Sequence, residues 1–249
     1  LTKKEARSET GLFLLEGPQG LKEALERPKL IEKLFATENF EQKHPELILR
    51  ARDSRVNVNL VSESVLKELS DTTTPQGVVA VCQQFHVSIE DVLAPKPKLV
   101  AFLAQIRDPG NAGTVLRAAD AAGADAVVFS KGSVDIYNPK VVRSTTGSMF
   151  HLPFVIDADI PTSLDSFQKA GLVVLGADVT GNSLASLESA ELAKPTLWLF
   201  GNEAWGLEPE VSALADKLVQ VPIFGAAESL NLATAASVCM YASAFAQNS

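Results

Sequence analysis

Five short apolar runs in the second half of the chain, each closed by turn residues and followed by a helix-length stretch, constrain its fold most. They are KLVAFLA (98–104), DAVVFS (125–130), GLVVLGA (171–177), TLWLF (196–200) and KLVQVPI (217–223). Runs that are apolar throughout need cover on both faces, which predicts a parallel sheet with helices on either side. Those helices are expected over 110–123, 138–146, 161–170, 207–215 and 229–246.

The first half alternates in the same way with shorter strands. FLLEG (13–17), KLFAT (33–37), VNVNLV (56–61) and VVAVCQ (78–83) read as strands. Pro18 suits an early position of a helix through residue 27, a helical stretch covers 45–54, and Ser62 suits the cap of a helix from Glu63 to Leu69. A small α/β unit over 1–85 follows. The prolines of HVSIEDVLAPKPK (86–98) mark a seam, read as a linker over 86–97 before a larger domain over 98–249.

Composition narrows the function classes. No apolar run approaches the ~20 residues of a membrane span, and no signal-peptide core follows LTKKEARSET. Cys82 and Cys239 are too few and too far apart for a metal site or a disulfide framework. A cytoplasmic protein without a metal is the expectation. The formal charge is −8, with 12 basic against 15 acidic residues up to residue 95 and 10 against 15 beyond it. Neither half is a basic module, so any contact with RNA must come from a local patch.

Three segments break the core pattern at strand ends. In RDPGNAGTVLRAADAAGAD (107–125), Asn111, Gly113 and Arg117 form N-x-G-x-x-x-R around an expected helix start near Asn111. In LFGNEAWGL (199–207), a strand runs straight into Gly201, Asn202 and Glu203, and Gly206 completes the turn. In VPIFGAAESLNLATAASVCMYAS (221–243), a loop holding Gly225 leads to Ser229, Leu230 and Asn231 at the start of an Ala- and Ser-rich helix. Taken singly, each also fits an ordinary capped turn. Glycines at strand carboxyl ends are where open α/β sheets receive ligands.

Together, three polar loops in this order resemble the three motifs of the SpoU (TrmH-like) class of RNA 2′-O-ribose methyltransferases, in the SPOUT superfamily. The resemblance covers about residues 98–246, and NPKVVRSTTGSMFHLPF (138–154) looks like the family's segment between the first and second motifs. FLLEGPQGLKEAL (13–25) resembles the opening of its substrate-binding domain.

That resemblance implies an α/β protein: a parallel-sheet SPOUT domain with a trefoil knot, preceded by a small α/β RNA-binding domain. It implies S-adenosylmethionine as cofactor, bound by Leu175, Gly176 and Ala177, by Gly201, Asn202 and Gly206, and by Val221, Ile223 and Leu230. It implies a homodimer built on the last helix. Arg117 would serve the ribose hydroxyl, with Asn111, Glu203, Ser229 and Asn231 around it. A guanidinium holds its proton too firmly to act as a base, so Arg117 is assigned to fixing the neighbouring phosphate and polarising the hydroxyl. RNA contacts are expected from Arg143, Lys3, Lys4, Arg7, Arg50, Arg52 and Arg55. Ribosomal RNA is preferred over transfer RNA as substrate, and a non-catalytic RNA-binding protein on the same scaffold is the alternative. A nucleotide-dependent oxidoreductase fares poorly, because no G-x-G-x-x-G follows the first strand of either half.

Overall fold

The computed structural model describes all residues from Leu1 to Ser249. They form two compact units: Leu1–Phe85 with Asp135–His151, and His86–Val134 with Leu152–Ser249.

The front unit holds β1 (Leu12–Glu16), β2 (Ile31–Ala36), β3 (Val58–Leu60) and β4 (Val78–Gln83) in the order β1-β4-β2-β3. β4 runs antiparallel to both β1 and β2, and β3 lies parallel to β2. The Ser62 hydroxyl accepts from the Val65 amide at the head of helix Glu63–Leu69, as its position suggests. Helix Pro18–Ala24 opens on its proline after Gly17, whose φ of +91° suits glycine.

Residues 135–151, expected in the larger domain, fold with the front unit instead. The cause is aromatic. Tyr137 is buried with its ring 5.1 Å from that of Phe13, and its hydroxyl donates to the Phe85 carbonyl. Phe150 stacks on Phe85 at 5.3 Å. A unit this small gains much of its interior from such large rings. Helix Pro139–Ser144, capped by Asn138, lies within this segment.

The second unit is built on six parallel strands: β5 (Leu99–Leu103), β6 (Ala126–Ser130), β7 (Phe154–Ala158), β8 (Val173–Ser183), β9 (Thr196–Phe200) and β10 (Lys217–Gln220). Their order is β10-β8-β9-β5-β6-β7. Every residue of β5, β6 and β9 is buried, which accounts for their unbroken apolar character. β7 was not among the expected strands. Its apolar stretch is short, Asp157 sits at φ +53°, and the register with β6 shifts there.

Residues 86–97, read as a linker, contain helix Ile89–Leu93 with a capping box between Ser88 and Asp91. Val92 of that helix is buried in the second unit's core. Helix Pro109–Ala121 is capped by Asp108, not by Asn111. The expected helix over 207–215 contracts to Pro209–Ser212. The last helix, Leu232–Gln247, is capped by Asn231, which leaves Ser229 in the preceding loop. Trp198 ties that helix to β9 by donating its indole N–H to Ser243 Oγ at 2.9 Å. Both cysteines are buried and free. No helix is long and apolar enough to cross a membrane.

Candidate active site

Strand order in the second unit departs from β5 in opposite directions, through β6 to β7 and through β9 to β8. Ligands in such sheets sit beyond the carboxyl ends of the strands flanking the reversal. A cleft of about 350 Å³ lies on that side of the sheet, bordered by the middle of β8 and by the carboxyl ends of β9 and β10. Its lining includes Ala177, Asp178 and Val179 from the middle of β8, Phe200 to Glu203 and Gly206 at the end of β9 and in the loop after it, and Val219 to Val221 with Ile223 at the end of β10 and beyond. Ser229, Leu230, Asn231, Leu232 and Ala235 complete it, together with Asn111.

Close approach of backbone to backbone shapes the cleft. A Cβ on Gly201 would lie 2.2 Å from the Gly206 carbonyl carbon and 2.4 Å from the Leu207 nitrogen. Asn202 and Gly206 then exchange two backbone hydrogen bonds, of 2.9 and 2.8 Å. The buried Asn202 side chain donates to the Gln105 carbonyl at 2.6 Å and accepts from the Ala204 amide at 2.8 Å. This tight loop joins the end of β9 to the segment after β5. A second crossing occurs at Gly181, where a Cβ would meet Leu218 and Val219 backbone atoms at 2.4 Å.

A polar chain runs along one side. Because Asp108 caps the helix by accepting from the Asn111 amide at 2.7 Å, the Asn111 side chain is released from capping. Asn111 Oδ1 accepts from Asn231 Nδ2 at 2.9 Å, and its own amide lies 3.4 Å from Glu203 Oε1. Glu203 also accepts from the backbone amides of Arg107 and Asp108, at 3.2 and 3.0 Å. Asn231 meanwhile caps the last helix through Ala233 and Thr234. Three loops distant in sequence are thereby joined at Asn111, Glu203 and Asn231.

The ionisable groups lining the cleft are Asp178 and Glu203, with no lysine, arginine or histidine among them. Such a cleft disfavours a phosphate-bearing cofactor and favours a cationic one. Its walls of Phe200, Val219, Val221, Ile223 and Leu230 suit an apolar ring system.

The structure places the expected site residues unequally. Asn111, Glu203, Ser229, Asn231, Ala177, Gly201, Asn202, Gly206, Val221, Ile223 and Leu230 all line the cleft. Leu175 is buried in β8, and Gly176 packs against β10, its Cβ position 2.8 Å from Leu218 Cδ2. Both support the cleft from behind and do not line it. Arg117 is on the exposed side of helix Pro109–Ala121, outside the lining.

Among the expected RNA contacts, Arg7 is buried. Its Nη2 meets Asp135 Oδ2 at 2.6 Å, and its Nη1 donates to the Leu1 and Thr2 carbonyls. Arg143 bridges Glu16 and Asp71 at 3.1 and 3.0 Å. Arg50 pairs with Glu26, and Arg52 with Glu41. Lys3, Lys4 and Arg55 are exposed. Asp178, Val179 and Gln220 were missed. Asp178 lies beyond the apolar run that identified β8, and nothing in its local sequence distinguishes it from a surface turn residue.

Comparison with known proteins agrees with this architecture. Residues 98–241 match the SpoU rRNA Methylase family, and residues 1–80 match the MRM3-like substrate binding domain. The chain is 34% identical over 240 residues, 96% of its length, to the 23S rRNA (guanosine(2553)-2'-O)-methyltransferase RlmP of Bacillus subtilis, covering 91% of that protein. Among solved structures, the SpoU methyltransferase AviRb of Streptomyces viridochromogenes superposes with a TM-score of 0.85 at 29% identity, over 100% of this chain and 94% of that one. An AdoMet-bound rRNA methyltransferase from Sinorhizobium meliloti gives 0.82 at 29% identity, over 97% and 90%.

Proposed function

The chain belongs to the SpoU rRNA methylase family, and on that premise we propose that it transfers a methyl group from S-adenosylmethionine to a ribose 2′-hydroxyl of ribosomal RNA. The observation that carries this reading is the cleft: apolar walls, a glycine crossing at Gly201, and carboxylates as its only ionisable lining. S-adenosylmethionine supplies the methyl group on a positively charged sulfur, which that electrostatic character accommodates. Backbone groups at Gly201, Val221 and Leu230 are assigned to the adenine, flanked by the apolar walls. The close approaches at Gly181 and Gly201 support the knotted threading expected of this fold.

Asn111, held between Glu203 and Asn231, is placed to orient the ribose. Arg117, exposed and outside the cofactor's walls, is assigned to the RNA side, where it fixes a phosphate and polarises the hydroxyl. The hydroxyl proton leaves as its oxygen takes the methyl group. The front unit is assigned to capturing RNA, with Lys3, Lys4 and Arg55 among its exposed cations. A second copy of the chain is assigned to cover Val238 and Phe245, which stand 41% and 69% exposed on the last helix.

The test is to incubate the protein with labelled S-adenosylmethionine and separated ribosomal and transfer RNA, then map modified nucleotides by mass spectrometry. Ribose label in ribosomal RNA is the expected result. Label confined to transfer RNA would overturn the substrate, and absence of cofactor binding would overturn the reading as a whole.

A further inference from the structure

The chain has two tryptophans, and they are in opposite circumstances. Trp198 is fully buried and hydrogen-bonded to Ser243. Trp205 is 46% exposed, on the short loop between Glu203 and Gly206, both of which line the cleft. A large aromatic left in water forgoes the burial that makes tryptophan useful to a fold. Its exposure does not come from a slack loop. The paired backbone bonds of Asn202 and Gly206 close that loop, and the Asn202 side chain holds Ala204 from within. The ring is therefore presented outward by a fixed support.

A second feature points to what it receives. The Arg107 guanidinium carbon lies 5.1 Å from the centroid of the Trp205 ring. Arg107 is exposed, and its amide is held by Glu203, the neighbour of the same loop. A cation over an indole steadies the ring, and a guanidinium at its side is able to meet a phosphate. A flat ring and a cation at the edge of a nucleotide-sized cleft match the two halves of an RNA nucleotide: a base to stack and a phosphate to pair. The cleft itself has apolar walls of its own and does not include Trp205 in its lining, so the ring is not needed for a ligand within.

We propose that Trp205 and Arg107 form a stacking platform for a nucleobase of the substrate RNA, next to the ribose that is methylated. The platform rests on the methyl-transfer reading for its role but is measurable without it. Because Trp198 is buried, iodide quenching of tryptophan emission reports chiefly on Trp205. A mixed-sequence RNA oligonucleotide of about 12 nucleotides should change the Trp205 emission and protect it from iodide, while S-adenosylmethionine alone should do neither.

In steady-state assays with transcribed ribosomal RNA, Trp205→Ala should raise KM for RNA about tenfold or more. Its kcat and its affinity for S-adenosylmethionine should stay within about twofold, and Trp205→Phe should recover most of the loss. Arg107→Ala should weaken RNA binding and make what remains less sensitive to salt. A Trp205→Ala protein with unchanged KM, or one that loses affinity for S-adenosylmethionine, overturns the platform. So does iodide protection that grows with protein concentration alone, which would make Trp205 a contact between copies. If the unaltered protein methylates no RNA yet its Trp205 emission responds to the oligonucleotide, the methyl-transfer reading fails and the platform stands.

Discussion

Arg7 and Arg143 in the front unit, and Arg107 and Arg117 in the second, show two uses of one side chain. Arg7 is buried on Asp135 and two carbonyls, and Arg143 is held between Glu16 and Asp71. Arg107 and Arg117 are exposed, on the segment that follows β5 and on the helix after it. A guanidinium already facing carboxylates has little left to offer a phosphate, and its removal strands a buried negative charge. An exposed one contributes little to the fold and remains available to RNA. Local sequence does not separate these cases, because the carboxylate partners of Arg7 and Arg143 lie between 72 and 128 residues away.

The largest effect that would break this contrast is expected at Arg117. Arg117→Ala should lower turnover by about 10²-fold or more under saturating cofactor and RNA. Its unfolding free energy in urea should stay within about 0.5 kcal/mol of the unaltered protein, as for other surface substitutions. Near-normal turnover would remove Arg117 from the chemistry.

Next comes Arg7→Ala, which should destabilise the protein by about 3 kcal/mol through the uncompensated Asp135, read from denaturant unfolding. Because Arg7 is closed off from solvent, RNA affinity of the folded variant should hardly move. Adding Asp135→Asn should restore part of the stability, by removing the stranded charge. A specific loss of RNA affinity with full stability would return Arg7 to the RNA surface.

Arg143→Ala should cost less, about 1–2 kcal/mol. Its side chain is 29% exposed, so solvent screens both pairs. Glu16 also keeps its bonds from the Asp71 and Thr72 amides and the Thr72 hydroxyl. A drop in RNA affinity beyond that stability change would show that Arg143 does reach phosphate from between its two carboxylates.

The same distinction between local and distant partners decides how much was legible in the sequence. β5, β6 and β9 announce themselves because burial on both faces demands unbroken apolar runs, a property of the strand alone. The cleft loops were legible for a related reason: Gly201, Gly206 and the Asn111 and Asn231 side chains sit where strands end. β7 was not, since Asp157 and a register shift interrupt its short run. Asn111 looks like a helix cap, and only the preceding Asp108 takes that task and frees it for Glu203 and Asn231. Residues 135–151 carry ordinary helix signals that say nothing of which unit they join. The rings of Phe13 and Phe85 settle that, from far upstream.

The smallest effect is expected inside the RARDSR run, where the contrast recurs at close range. Arg50 and Arg52 pair with Glu26 and Glu41, while Arg55 is exposed, forms no ion pair, and sits at φ +62°. That conformation is costly for a side chain bearing a Cβ and free for glycine, whose extra chain entropy offsets part of the gain. Arg55→Gly should therefore leave stability unchanged or slightly raised in denaturant unfolding, with a shift under about 1 kcal/mol. It should also reduce the slope of log affinity for RNA against log salt by about 1, the signature of one lost phosphate contact. Arg52→Ala should act in the opposite sense, lowering stability slightly by releasing Glu41 while leaving the salt slope nearly intact. Slopes unchanged from the unaltered protein in both variants would mean that neither Arg52 nor Arg55 touches a phosphate, and would leave Lys3 and Lys4 as the exposed candidates.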